Sequence, residues 1–193
     1  RTETVVRLAP VPDVTLYVCP SIHTDVGYTH VQPECARRHV DSLLAILDVC
    51  RDTADYPAGA QLKWNCEVIW EVEQFQALAP ERTEELFAAC RAGRIGVSAA
   101  YANMLTGLMG HEQFCRLVYP AARLRREQGL DVRVATMTDT PSYTWSLPSV
   151  LAGSGVGAFA VGCNDGRGVF AAGNPMQPPL HWQGPDDQQC LFW

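Results

Sequence analysis

With 193 residues, 47% of them hydrophobic and 19% charged, the chain has enough apolar material for one buried domain and too much for intrinsic disorder. A net charge of −6, with lysines and arginines scattered, leaves no basic face to neutralise a phosphate backbone, which argues against nucleic acid as a partner. No apolar run reaches the roughly 20 residues that span a bilayer, and no signal-peptide pattern opens the chain, which argues against a membrane protein.

Val14-Thr-Leu-Tyr-Val-Cys19, β-branched and aromatic and stopped by Pro20, reads as a first buried strand. Val40, Leu43, Leu44 and Leu47 then fall at i, i+3, i+4 and i+7, the spacing of one apolar helical stripe. Leu62 to Trp64 is strand-like. A helix is expected from near Pro80 to Gly93, with Glu81, Glu84 and Glu85 suiting its N-terminal dipole. Ile95-Gly-Val97 reads as a third strand. A helix through Phe114, Leu117, Val118 and Ala121 should be kinked by Pro120 and ended by Gly129. Val132 to Ala135 is a fourth strand, Leu147 to Gly153 a short helix and Ala158 to Val161 a fifth strand. A Gly/Pro-rich loop is expected over residues 162–179, and Cys190 to Trp193 is strand-like again. This alternation predicts parallel strands with helical crossovers, either an α/β barrel or an open doubly wound sheet, in a single domain over residues 1–193.

The chain starts at Arg1 and stops within a strand-like run, so it reads as a piece of a longer polypeptide whose remainder, beyond residue 193, is its first expected partner. Most of the eight cysteines sit in apolar stretches and no CxxC pair occurs. This predicts buried, reduced thiols and a cytoplasmic protein rather than a disulfide framework or a zinc knuckle.

Candidate chemistry gathers at strand ends. His23 and Asp25 follow the first strand at i and i+2, a spacing that projects both to one side of an extended chain. Imidazole nitrogen with carboxylate oxygen suits zinc and similar divalent metals. Asp139 follows the fourth strand, and in a parallel β/α fold both strand ends open on one face, where such folds keep their sites. The alternative is that the three cap loops and turns. Trp64 and Glu67, in Trp64-Asn-Cys-Glu67-Val-Ile-Trp70-Glu71, suit a sugar platform of flat apolar faces and hydrogen-bonding groups, or equally a helix start with core tryptophans. Tyr101, in Tyr101-Ala-Asn103 after the third strand, can face the same way or pack. Of the other histidines, His39 falls on the charged side of the first helix, His111 near a helix start and His181 in an apolar strand; His30 is a loop residue near Asp25.

His23-Thr-Asp25-Val-Gly27-Tyr28 resembles the HxDxGW/Y motif of glycoside hydrolase family 38, the α-mannosidases. Gly93-Arg-Ile-Gly96 ahead of Ala100-Tyr101, Gly110-His-Glu112, Asp139 with the helix after it, and His181-Trp-Gln-Gly-Pro-Asp186 are similar to further segments of that family, in the same order from about Val14 onward. The resemblance implies a (β/α)7 barrel truncated at its C-terminus, a carbohydrate substrate, and zinc held by His23, Asp25 and Asp139. Asp139 would also be the nucleophile of a retaining glycosidase. The sequence departs from the family at Thr140-Pro-Ser-Tyr-Thr-Trp145 and at Cys163-Asn164, where the family has an active-site arginine that Arg167 would replace. A fourth metal ligand and the general acid are expected beyond Trp193. Two other functions share this chemistry, a metal-dependent carbohydrate deacetylase and a carbohydrate-binding barrel without turnover.

Overall fold

The structure, a computed structural model, describes residues 13–140, 142–162 and 179–193. The expected first strand is not formed. Residues 13–25 carry no helix or strand, and Val14, Leu16, Tyr17 and Val18 are 70–85% exposed. β-propensity needs a partner ladder to act on. Here the one backbone bond to a neighbouring strand among the described residues is Asn65 N–H to Pro20 C=O, 3.0 Å.

Helix α1 (Gln32–Asp52) has Pro33 and Glu34 in its first turn and Arg51 in its last, in keeping with the helix dipole. It buries Val40, Leu43 and Leu47 as their spacing predicts, with Ile46 and Cys50 completing the stripe. Strand β1 (Trp64–Cys66) begins where Leu62–Trp64 was expected to end. Helix α2 (Ile69–Leu78) follows and buries Ile69, Trp70, Glu71, Val72 and Phe75. Buried residues that consecutive in the first turn cover more than one side of a helix, so no apolar stripe marks it in the sequence. A 3-10 turn at Pro80–Arg82 leads into α3 (Thr83–Arg91), and β2 (Ile95–Val97) comes next. The expected kinked helix is two helices, α4 (His111–Arg116) and α5 (Tyr119–Gln128). Pro120 sits in the first turn of α5, where its missing N–H costs nothing, and Gly129 ends α5 in the left-handed conformation at φ 66°. Then follow β3 (Val134–Thr138), α6 (Leu147–Gly153), β4 (Ala158–Gly162), β5 (Leu180–Gln183) and β6 (Gln189–Phe192).

β1 and β2 pair in parallel, with Cys66 opposite Val97. A second sheet has the order β3-β4-β6-β5, parallel from β3 to β6 and closed by an antiparallel β5. The two sheets adjoin just past β2, where Ala99 N–H bonds Val134 C=O at 2.8 Å and the Ser98 hydroxyl accepts from Thr136 N–H at 2.9 Å. The α/β class therefore holds, but no closed barrel exists among the described residues. The ladder between β2 and β3 is reduced to these contacts, and β5 faces outward as an antiparallel strand instead of continuing the parallel repeat.

The core runs from Leu43 and Leu47 through Phe75 and Leu86 to Met137, Leu151 and Phe159. Phe159 is the centre of an aromatic group, 5.2 Å from Tyr143 and 5.9 Å from Phe192 between ring centroids. All described cysteines are free; Cys35, Cys50, Cys66 and Cys190 are buried, whereas Cys19 and Cys115 are exposed. No helix among the described residues is long and apolar enough to cross a membrane.

Candidate active site

The C-terminal ends of β1, β2 and β3 open on one cleft of about 810 Å³. Glu67 leaves β1 at its end, Tyr101 and Asn103 lie on the segment after β2, and Thr138 and Asp139 end β3. His23 and Asp25 are carried in by the irregular segment that touches β1 through Pro20. His23, Asp25, Asp139, Trp70, Tyr101 and Asn103 all line this cleft.

Within it, His23 Nε2 stands 3.5 Å from Asp25 Oδ1, and His23 Nδ1 lies 3.1 Å from Glu67 Oε1 and 2.8 Å from Thr138 Oγ1. Burial alone would lower the His23 pKa. The Glu67 hydrogen bond and the charges of Glu67, Asp25 and Asp139 outweigh it and leave the imidazole with a raised value. Asp139 therefore contributes to the field at His23. Its backbone sits at φ 52°, a left-handed conformation that aspartate tolerates better than most residues, and its N–H bonds Gly162 C=O at 2.8 Å.

Behind the histidine lies a buried polar layer. Glu67 and Glu71 are each 2% exposed. Glu67 Oε2 accepts from Thr24 N–H at 2.6 Å and from Asn103 Nδ2 at 3.0 Å, and the Thr138 hydroxyl donates to Glu67 Oε1. Glu71 Oε1 accepts from the Thr24 hydroxyl at 2.6 Å. Burial, aided by the Glu67 charge, pushes the Glu71 carboxyl up to about 7 against the pull of the Thr24 hydroxyl and of nearby backbone N–H groups.

Not every candidate from the sequence reaches the cleft. Trp64 starts β1 at the far end from the site and packs half-buried against the core, so Trp70 rather than Trp64 supplies the indole that lines the cleft. Glu67 is a buried support beneath His23 rather than an open sugar contact. Tyr101 lines the cleft, with burial and its hydrogen bond to Glu73 raising its phenol pKa. Arg167, Cys163 and Asn164 lie outside the described residues, as does most of the expected 162–179 loop. His39, expected on the solvated side of α1, is 8% exposed and meets Trp70 edge-on at 6.0 Å. Thr24, Asn103 and Thr138 were missed as site organisers. Thr24 and Thr138 were at least signalled by standing next to candidate ligands, whereas Asn103 reaches Glu67 only through the fold.

No family model and no curated protein matches the sequence. Among solved structures, an α-mannosidase from Enterococcus faecalis V583 is similar at 16% identity and a TM-score of 0.66, over 84% of this chain and 18% of that one. A glycosyl hydrolase family 38 protein from Enterococcus faecalis is similar at 16% identity and a TM-score of 0.65, over 90% of this chain and 18% of its own. The chain has a family 38-like fold. It spans less than a fifth of either structure. The family 38-like fold also overlaps a 4-alpha-glucanotransferase from Thermococcus litoralis, at 13% identity and a TM-score of 0.60, over 91% of this chain and 27% of that one.

The donor chemistry of the cleft suits zinc in part. The Nδ1 side of His23 is anchored on a carboxylate and Nε2 is turned toward Asp25, the orientation in which imidazole serves as a metal ligand. No three His, Cys, Asp or Glu side chains among the described residues are grouped closely enough to close a metal shell. His23 and Asp25 stand together in the cleft, which Asp139 also lines.

Proposed function

We propose that this chain carries the nucleophile side of a retaining glycoside hydrolase of the α-mannosidase type. The observation that carries the reading is the gathering of His23, Asp25 and Asp139 in one cleft, beside the rings of Trp70 and Tyr101, on a family 38-like fold. Flat apolar rings beside carboxylates are what a sugar's mixed faces require. Asp139 attacks the anomeric carbon and forms a glycosyl ester as the glycosidic C–O bond breaks. A carboxylic acid protonates the leaving oxygen, and the same group, now a base, takes a proton from the water that cleaves the ester. Asp25 and Asp139 are the carboxylates among the described lining residues, and both are engaged in this reading, so the acid comes from elsewhere in the polypeptide.

In this reading His23, Asp25 and Asp139, too far apart as they stand to close a metal shell, would be drawn together around zinc, with a fourth ligand from outside the 193 residues. The bound metal would supply a charged anchor for sugar hydroxyls beside the reacting carbon. Trp70 and Tyr101 hold the ring, and the polar wall formed by Glu67, Asn103 and Thr138 keeps His23 in place.

The test uses a fluorosugar with a good leaving group, which needs little acid assistance to react. A mannosyl adduct mapped to Asp139 by mass spectrometry supports the reading; an adduct elsewhere, or none with zinc-loaded protein, sinks it. Because the same fold carries a 4-alpha-glucanotransferase, a sugar hydroxyl in place of water is the alternative acceptor, revealed by transfer products when a second sugar is added. Release of acetate from an N-acetylated sugar would point instead to a deacetylase using the same His/Asp pair.

A further inference from the structure

Glu67 is enclosed and fully engaged. Its two oxygens receive Thr24 N–H at 2.6 Å, Asn103 Nδ2 at 3.0 Å, His23 Nδ1 at 3.1 Å and the Thr138 hydroxyl. Asn103 Oδ1 accepts from Thr138 N–H at 3.0 Å, which fixes the orientation of the amide and turns its NH₂ toward Glu67. A carboxylate only accepts, so each of these neighbours must donate. The Thr138 hydroxyl spends its hydrogen on Glu67 and keeps a lone pair for His23 Nδ1, 2.8 Å away. Both partners of Nδ1 therefore require a hydrogen there.

We propose that Glu67 is a positioning residue that fixes neutral His23 in the Nδ1–H form, leaving the Nε2 lone pair beside Asp25 Oδ1 at 3.5 Å as one half of a divalent-cation site. The cation half of this statement rests on the zinc reading above; the tautomer half does not. An imidazole in water favours neither ring nitrogen strongly enough to make this a default, and a lone pair facing a carboxylate is unfavourable until a cation lies between them. The buried carboxylate imposes the arrangement. Its replacement by glutamine removes one acceptor and adds two N–H donors opposite Thr24 N–H and Asn103 Nδ2, so the amide cannot satisfy all four neighbours.

The experiment records ¹⁵N–¹H correlations of the histidine rings in the metal-free 193-residue chain at pH 8.5, with His23 assigned by its loss in His23→Asn. Zinc affinity is then measured by chelator competition, and folding by thermal melts. The expected result is Nδ1–H on His23 in the parent chain, a mixed or Nε2–H population in Glu67→Gln, and roughly 10- to 100-fold weaker zinc binding in that variant, the usual effect of removing the partner of a ligating histidine. A parent chain with Nε2–H on His23, or a folded Glu67→Gln chain with an unchanged tautomer, overturns the proposal. If Glu67→Gln does not fold, the parent tautomer still decides, and Thr138→Val provides the second comparison with Glu67 intact. Nδ1–H on His23 in a chain that binds no zinc would uphold the positioning role while refuting the metal reading.

Discussion

His39 Nδ1 and Glu71 Oε2 face each other 3.8 Å apart across the packed surfaces of α1 and α2, and neither is charged at neutral pH to the degree its surface counterpart would be. Burial lowers the His39 pKa and raises that of Glu71 to about 7, so both shifts weaken the contact as an ion pair. Its distance is also too long for a hydrogen bond.

A stability profile follows from Glu71, which Glu67, His39 and the Cys66 thiol surround. Its folded pKa of about 7 lies above the ordinary 4.5, so the folded state holds a proton that the unfolded state releases between those values. The parent chain should lose stability as pH rises from 5 to 8. Relative to it, Glu71→Gln should gain on the order of 2–3 kcal/mol over that interval, at about 1.4 kcal/mol per pH unit. Urea unfolding of both proteins at pH 5 and pH 8 gives the difference; a difference independent of pH would contradict it.

Arg94 locks β2 to the C-terminal end of α1. Its guanidinium donates to Leu62 C=O at 2.8 Å, Cys50 C=O at 3.1 Å and Thr53 Oγ1 at 2.8 Å. Arg94→Ala strands these acceptors and should cost about 2–3 kcal/mol, with Arg94→Lys recovering only part of it because an ammonium cannot reproduce the planar fork. Chemical denaturation of the three proteins measures this.

At Asp139 the backbone itself selects the side chain. Asp139→Asn should melt within a degree or two of the parent, since asparagine also accepts φ 52°, while forming no glycosyl adduct with the fluorosugar. Asp139→Val places a β-branched residue in the left-handed region and should be destabilised by about 1–2 kcal/mol. Equal melting temperatures for Asn and Val variants would remove the conformational argument.

Gly162 couples β4 to the site. A Cβ there would lie 2.8 Å from Thr138 Cγ2 and 3.3 Å from Thr138 Cβ, so Gly162→Ala must displace the threonine whose hydroxyl meets both His23 and Glu67. A loss of about 1–3 kcal/mol is expected, together with a shift of the His23 ring resonances. Gly157, with open space around its Cβ position, is the control, and unchanged His23 resonances in Gly162→Ala would dismiss the coupling.

The sequence could be read where a local signal and the tertiary fold agreed. The stripe of Val40, Leu43 and Leu47 made α1, Gly129 ended α5, and the short runs at Ile95 and Ala158 became β2 and β4. It misled at residues 14–18, whose β-rich composition meets no partner strand; at α2, where Trp70, Glu71 and Val72 are buried in succession, it left a helix start and a sugar platform undivided. The short spacing of His23 and Asp25 could be read from neighbouring residues alone. The buried carboxylates beneath them could not, because Glu67 and Glu71 look like surface residues until Thr24, Asn103 and Thr138 are brought to them by three separate segments.

The strand order β3-β4-β6-β5 also has a consequence for the route by which this chain folds. The outer edge of β4 is covered by β6, which arrives some 30 residues later in the chain and brings β5 with it as a hairpin. Until then Phe159 lacks Trp182 and Phe192, its neighbours at 6.3 and 5.9 Å, and the backbone of β4 presents an unpaired edge. Strands so far apart in sequence must be brought together before their contacts add any stability, so docking of the hairpin is expected to form late and slowly relative to the local helices. A chain halted before residue 189 during synthesis would leave that edge of β4 open to pairing with another copy of itself.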